Sequence, residues 1–131
     1  MHTDRFIGIP YCPRRMDCAD LVMLVQRELF GREVVFAGKR PRPLADADQD
    51  AAIASYCAEL AYEVGEPRDG DVVLMREGGK TMAGHVGTYF FLSHTPYVLH
   101  TAAWMQGGSS LHKIKDLPGI GLTVMGYFRW K

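Results

Sequence analysis

The stretch PYCPRRMDCADLVMLVQRELFG, residues 10–31, decides how the rest of the chain is interpreted. Asp17 is a favourable helix N-cap because its carboxylate can accept a free backbone N–H, and Cys18 then takes the first helical position. The apolar run LVMLVQRELF continues the helix, and Gly31 is the residue type favoured just past a helix end. A thiol at a helix N-terminus lies at the positive end of the helix dipole, which favours the nucleophilic thiolate. The pattern predicts a helix over residues 18–30, with Cys18 as a candidate nucleophile.

Length and composition predict a single globular domain over residues 1–131. Of these residues 47% are apolar and 23% are charged, and the formal net charge is +0, so neither nucleic acid nor an anionic membrane is an expected partner. The segment MHTDRFIGIPY lacks the apolar core of a secretory signal, and no apolar run is long enough to insert into a membrane. We therefore expect a protein that is cytoplasmic at synthesis. The three cysteines form no C-x-x-C pair, which favours reduced thiols over a disulfide framework.

The remaining patterns predict an α+β fold. A second helix is expected from about Asp46 or Asp48 to Tyr62, with Cys57 on its buried face as an inert thiol. Four apolar segments then predict strands: VVLM (72–75), HVGTYFFL (85–92), YVLHTAAW (97–104) and LTVMGYFRW (122–130). Helices first and antiparallel strands afterwards favour helices packed on one face of a sheet.

Two histidines on neighbouring predicted strands can serve a cysteine nucleophile, which needs a base and an orienting partner for that base. His85 follows Gly84, whose lack of a side chain should leave the imidazole accessible, and His100 lies on the next strand. If these strands form a hairpin, the two histidines meet at the same end. The chain contains no asparagine, so a Cys-His-Asn set is excluded. Among His, Gln, Asp and Glu as the third member, His100 is best placed to fix the tautomer of His85.

Less specific interpretations also fit these residues. Cys18 could be a buried, inert core residue, and a nearby carboxylate at Asp20 would raise the pKa of its thiol. A zinc site could use Cys12, Cys18, His85 and His100, although the spacing C-x5-C matches no usual structural zinc pattern. We predict no metal and no other cofactor.

Several segments, taken in order, resemble the NlpC-type cysteine peptidases, a papain-like superfamily of cell-wall hydrolases. They are PY, then DC at the head of an apolar helix, then GDVVLMR, GHVGTYF and YVLH. The helix continuation LVMLVQRELFG and the terminal GYFRW are most similar to the phage-tail branch of this superfamily. The resemblance covers nearly the whole chain. It implies the compact papain-like fold, with a nucleophile at Cys18, a base at His85 and a third polar residue at His100.

The resemblance also implies a substrate: peptide bonds next to D-glutamate in peptidoglycan stem peptides. The substrate-binding residues would lie around the cleft, at Tyr11, Asp17, Ala19, Asp20 and Gly84. Ala19-Asp20 departs from the family pattern, which usually places a glycine second after the cysteine. The implied partners are the peptidoglycan peptide and phage tail proteins, which extends the expected location to the phage tail.

Two other functions share these sequence features. One is a structural tail assembly protein that is catalytically weak or inactive, which Asp20 makes credible. The other is an amidase or acyltransferase on the same scaffold, with the same Cys-His-His set and a different substrate. The products formed from peptidoglycan distinguish all three.

Overall fold

In a computed structural model of the chain, which describes residues 3–13, 15–34, 53, 55, 57–80 and 83–131, helix α1 spans Cys18–Phe30, as predicted. Asp17 Oδ1 accepts the backbone N–H of Asp20 at 3.0 Å, and Asp20 Oδ2 accepts the backbone N–H of Asp17 at 3.1 Å. This reciprocal capping box fixes the start of α1. Gly31 ends the helix in the left-handed conformation, at φ 62°. No helix in the described ranges is long and apolar enough to cross a membrane.

The described strands form an antiparallel sheet in the order β1-β6-β2-β3-β4-β5. This arrangement confirms the predicted α+β class. The strands are β1 (Ala61–Val64), β2 (Val72–Glu77), β3 (His85–Leu92), β4 (Thr95–His100), β5 (Ser110–Lys113) and β6 (Leu122–Trp130).

Some element boundaries differ from the sequence prediction. Residues 53, 55 and 57–60 are helical, while the predicted helix start at Asp46 or Asp48 lies outside the described residues. Tyr62 was predicted to be helical but lies in β1, because β1 pairs with the distant strand β6. The predicted strand over residues 97–104 ends at His100, where the chain leaves the sheet. Strands β1 and β5 were not predicted.

Helix α1 packs on one face of the sheet, as predicted, and a short 3-10 helix that was not predicted covers the other face. Leu74 of β2 packs in the cluster that contains the start of α1. Its neighbours Val73 and Met75 point to the opposite face, where they pack in a second cluster with Leu117. Leu117 belongs to a short 3-10 helix, Ile114–Ile120, which therefore covers the face opposite α1.

The hairpin of β3 and β4 brings the start of one strand to the end of the other. It turns at Ser93 and His94, both in positive-φ conformations, and pairs Thr88 with Leu99. A Cβ atom on Gly87 would lie 2.8 Å from the carbonyl oxygen of Leu99 and 3.0 Å from Cβ of His100. The absence of a side chain at Gly87 thus permits the close approach of the strands beside His100.

Candidate active site

The first residues of α1 and β3 line the same cavity, which has a volume of about 210 Å³. Cys18 is the first residue of α1, directly after the capping box begins at Asp17, and His85 is the first residue of β3. Cys18 is 9% exposed and lines this cavity. The structure therefore brings the predicted nucleophile and the predicted base to one site.

His85 and His100 form the pair that the hairpin predicted. His85 Nε2 lies 2.7 Å from His100 Nδ1, a hydrogen-bond distance, with the rings nearly perpendicular. The prediction of an accessible imidazole is wrong, since His85 is 2% exposed. Strand β3 lies inside the sheet between β2 and β4, and His85 pairs with Met75 of β2, so His85 belongs to an interior strand and not to an edge.

A third histidine, His112 on β5, continues this pair. His100 Nε2 lies 2.7 Å from His112 Nδ1, so both ring nitrogens of the fully buried His100 are used. The register pairs His100 with Ser110 and Val98 with His112, which places His100 and His112 as diagonal neighbours on one sheet face. We refer to His85, His100 and His112 as the histidine row. Sequence reasoning missed His112 because β5 is four residues long and shows no alternation that predicts a strand.

Burial keeps the histidine row neutral. It lowers the pKa of His85 to about 4, and the nearby Lys80 lowers it further. Burial also lowers the pKa of His100 to about 2, with the charges of the flanking histidines as the next cause. The pKa of His112 is lowered by burial as well, but the carboxylate of Asp116 acts in the opposite direction. At neutral pH each of the three rings therefore carries one N–H.

The predicted substrate-binding residues divide into two groups. Tyr11, Asp17 and Gly84 line the cavity. Ala19 and Asp20 are not brought to it: Ala19, in the first turn of α1, is packed in the core, and the Asp20 carboxylate is engaged in the capping box. Asp20 lines a different cavity, together with Met23 and Arg27 of α1.

The cavity also contains polar residues that sequence reasoning did not place there. Glu77 is the last residue of β2, and Lys80 lies three residues further along the chain, so charges of both signs line the cavity together with Asp17. The sequence around Lys80 carries no local signal that this lysine reaches the site. Thr101 and Trp104 line the wall that follows β4, where the predicted strand does not continue. The buried Thr101 hydroxyl has no hydrogen-bond partner among the described residues.

The geometry does not fit the zinc alternative. Two nitrogens 2.7 Å apart, each about 2 Å from a shared metal, would subtend an angle of about 80° at it, far below the tetrahedral value. Cys12 pairs with Met16 in an isolated bridge and is not among the described residues that line the cavity. Within the described ranges no group of three or more His, Cys, Asp or Glu side chains is arranged to hold a metal ion.

Cys57 is fully buried, as predicted, and lies in the core cluster that contains Cys18. Burial raises the pKa of the Cys57 thiol to about 12, with the proximity of Cys18 as a second cause. Cys57 is therefore held as a neutral thiol.

Comparison of the chain with protein-family models, with curated proteins and with solved structures finds no match. The resemblance to NlpC-type peptidases stays a prediction. The cavity and the histidine row are the features that support a function.

Proposed function

We propose that this protein is a cysteine hydrolase that cleaves peptide bonds in peptidoglycan stem peptides, as a D-glutamyl endopeptidase associated with a phage tail. One observation supports it above all: Cys18, at the capped start of α1, shares a cavity with His85, whose Nε2 is 2.7 Å from His100. A nucleophile, a base and an orienting group are the three parts that covalent amide hydrolysis requires. The finer assignment to the compact papain-like NlpC fold is part of this proposal.

The mechanism follows from which ring nitrogen of His85 already makes a hydrogen bond. Its Nε2 faces His100, which leaves Nδ1 to take the thiol proton of Cys18. The sulfur attacks the scissile carbonyl carbon, and His85 returns the proton to the leaving amine as the C–N bond breaks. Water, deprotonated by His85, then attacks the thioester, and the carboxylate product leaves with the free thiol restored.

The charges around the cavity support the choice of a peptide substrate. Asp17 and Glu77 can bind an amine, and Lys80 can bind a carboxylate. Stem peptides carry both groups close to the bonds that link their residues. A cavity that presents charges of both signs suits such a substrate better than an uncharged or purely anionic one.

A second candidate, a structural tail assembly protein with little or no turnover, is favoured by a different observation. The buried carboxylates of Asp17 and Asp20 flank Cys18 at the start of α1, and such charges disfavour a thiolate. The pKa of His85, lowered to about 4, also makes it a weak base. In this candidate the site is a relic that the fold retains.

Digestion of purified peptidoglycan, with mass spectrometry of the products, tests these functions. Cys18→Ser should abolish product formation, while Cys12→Ser, the same change outside the described lining of the cavity, should not. New D-glutamyl ends would support the endopeptidase, and a freed amide bond between glycan and peptide would support an amidase. If the unmodified protein forms no product, the structural role replaces the enzyme.

A further inference from the structure

The histidine row is asymmetric, because it runs from a buried end to a partly exposed end. His85 and His100 are almost completely buried, whereas His112 is only partly buried and lines a second cavity of about 310 Å³. Trp104 lines both cavities. The row therefore connects the Cys18 cavity with a separate surface of the protein through two contacts of 2.7 Å.

Only two arrangements of N–H groups satisfy both contacts in a neutral row, because His100 uses both of its nitrogens. In the first, each ring carries its proton on Nε2, and His85 Nδ1 is bare and can act as a base. In the second, each ring carries its proton on Nδ1, and His85 presents an N–H to the cavity instead. The tautomer at His112 therefore fixes whether His85 can accept a proton.

We propose that His112 is a positioning residue which, through His100, receives the proton equivalent that leaves the Cys18 thiol. This inference rests on the Cys18–His85 pair of the proposed function. The thiol proton moves to His85 Nδ1; the Nε2 proton of His85 moves to His100 Nδ1; and the Nε2 proton of His100 moves to His112 Nδ1. The result is a thiolate at Cys18, neutral His85 and His100 in the Nδ1–H form, and an imidazolium at His112.

The surroundings of the row favour this final position of the charge. A positive charge left on the buried His85 or His100 would be poorly solvated, whereas His112 reaches solvent. Lys80 acts on His85 and disfavours a cation there, while the carboxylate of Asp116 acts on His112 and favours one. Among the described residues, Lys80 and Asp116 are the charged side chains, besides the histidines themselves, that shift the pKa values of the row. Moving the positive charge outward thus stabilises the thiolate without leaving an imidazolium in the core.

The variant His112→Asn separates proton uptake from hydrogen bonding. The Asn side-chain amide can supply an acceptor near the position of His112 Nδ1 but cannot hold an added proton. The matched control is His94→Asn, because His94 is exposed on the hairpin turn at φ 62°, a conformation that Asn tolerates. The measurement is the rate of Cys18 alkylation by iodoacetamide against pH, read by mass spectrometry.

His112→Asn should move the midpoint of the Cys18 profile upward by about one pH unit, so that alkylation below it is about tenfold slower. His94→Asn should retain the original profile. If His112→Asn retains the original profile too, the relay is refuted, because a merely structural His112 would be replaced by Asn without loss.

Nitrogen NMR of the imidazoles in Cys18→Ser supplies a second, independent test. On acidification the first proton taken up by the row should appear on His112, and uptake by His85 before His112 would overturn the proposal. Neither measurement uses peptidoglycan. A shifted Cys18 profile without cleavage would keep the relay and reject the substrate, whereas cleavage with an unshifted profile would do the reverse.

Discussion

Acid should destabilise this protein steeply, and His100→Gln should remove part of that effect. The ordinary pKa of histidine is 6.5, whereas burial lowers it to about 4 at His85 and about 2 at His100. At a pH between the ordinary value and the lowered value, the histidine is protonated in the unfolded chain and neutral in the folded chain. The free energy of unfolding is therefore highest above pH 6.5, and it decreases as the pH falls below that value.

The size of the effect follows from proton linkage. At pH 5 an imidazole that is neutral when folded and protonated when unfolded lowers the free energy of unfolding by about 2 kcal/mol, so His85 and His100 together lower it by about 4 kcal/mol. That loss is a large part of the roughly 5–15 kcal/mol typical of a domain. Burial also lowers the pKa of His112, which adds to the loss in the same direction, but its partial exposure keeps it out of this sum.

Urea unfolding at a series of pH values from 8 to 5 measures this loss. His100→Gln should reduce the difference in unfolding free energy between pH 8 and pH 5 by about 2 kcal/mol, whatever it does to stability at pH 8. His94→Asn, on the exposed turn, should leave the difference unchanged. If His100→Gln and the unmodified protein lose stability equally between these pH values, His100 is not held neutral by burial and the reasoning fails.

Three further predictions concern the helix start, the hairpin and the core thiol. Asp20→Asn should keep an acceptor in the capping box but remove its charge, so alkylation should show a lower pKa for the Cys18 thiol. Asp20→Ala should in addition lower the free energy of unfolding by about 1 kcal/mol. An unchanged thiol pKa in Asp20→Asn would contradict the effect of the charge. Gly87→Ala should destabilise the protein by about 1–3 kcal/mol in urea, because the new methyl group meets the β4 backbone, and unaltered stability would contradict that close approach. Cys57 should stay unlabelled in the native protein under conditions that label Cys18, and rapid labelling of Cys57 would contradict its burial.

The parts of the fold that sequence predicted are those that local chemistry determines. Asp17 and Gly31 determine the two ends of α1 through local contacts, and the apolar runs of β2, β3 and β6 are recognisable as strands from the sequence. Strand β1 carries no such signal, since its sequence AYEV directly follows a helix and becomes a strand only by pairing with β6. Its identity depends on a partner more than 60 residues away, which no local pattern encodes.

The candidate site divides in the same way. Cys18 follows from the helix cap, and the proximity of His85 to His100 follows from one short hairpin turn. The burial of His85 and the contact with His112 depend on pairing with other strands of the sheet, so no local sequence pattern predicts either of them. Ala19 and Asp20 were placed near the substrate only by resemblance, whereas helix geometry turns one into the core and the other into the cap.

The central claim is that Cys18 is a nucleophile activated by His85, and one measurement tests it most directly. The rate of Cys18 alkylation against pH is recorded for the unmodified protein and for His85→Ala. We predict fast reaction well below pH 8.5, the usual pKa of a free thiol, and loss of this reactivity in His85→Ala. If Cys18 titrates near pH 8.5 in both proteins, no activated thiol exists and the proposed hydrolase is contradicted.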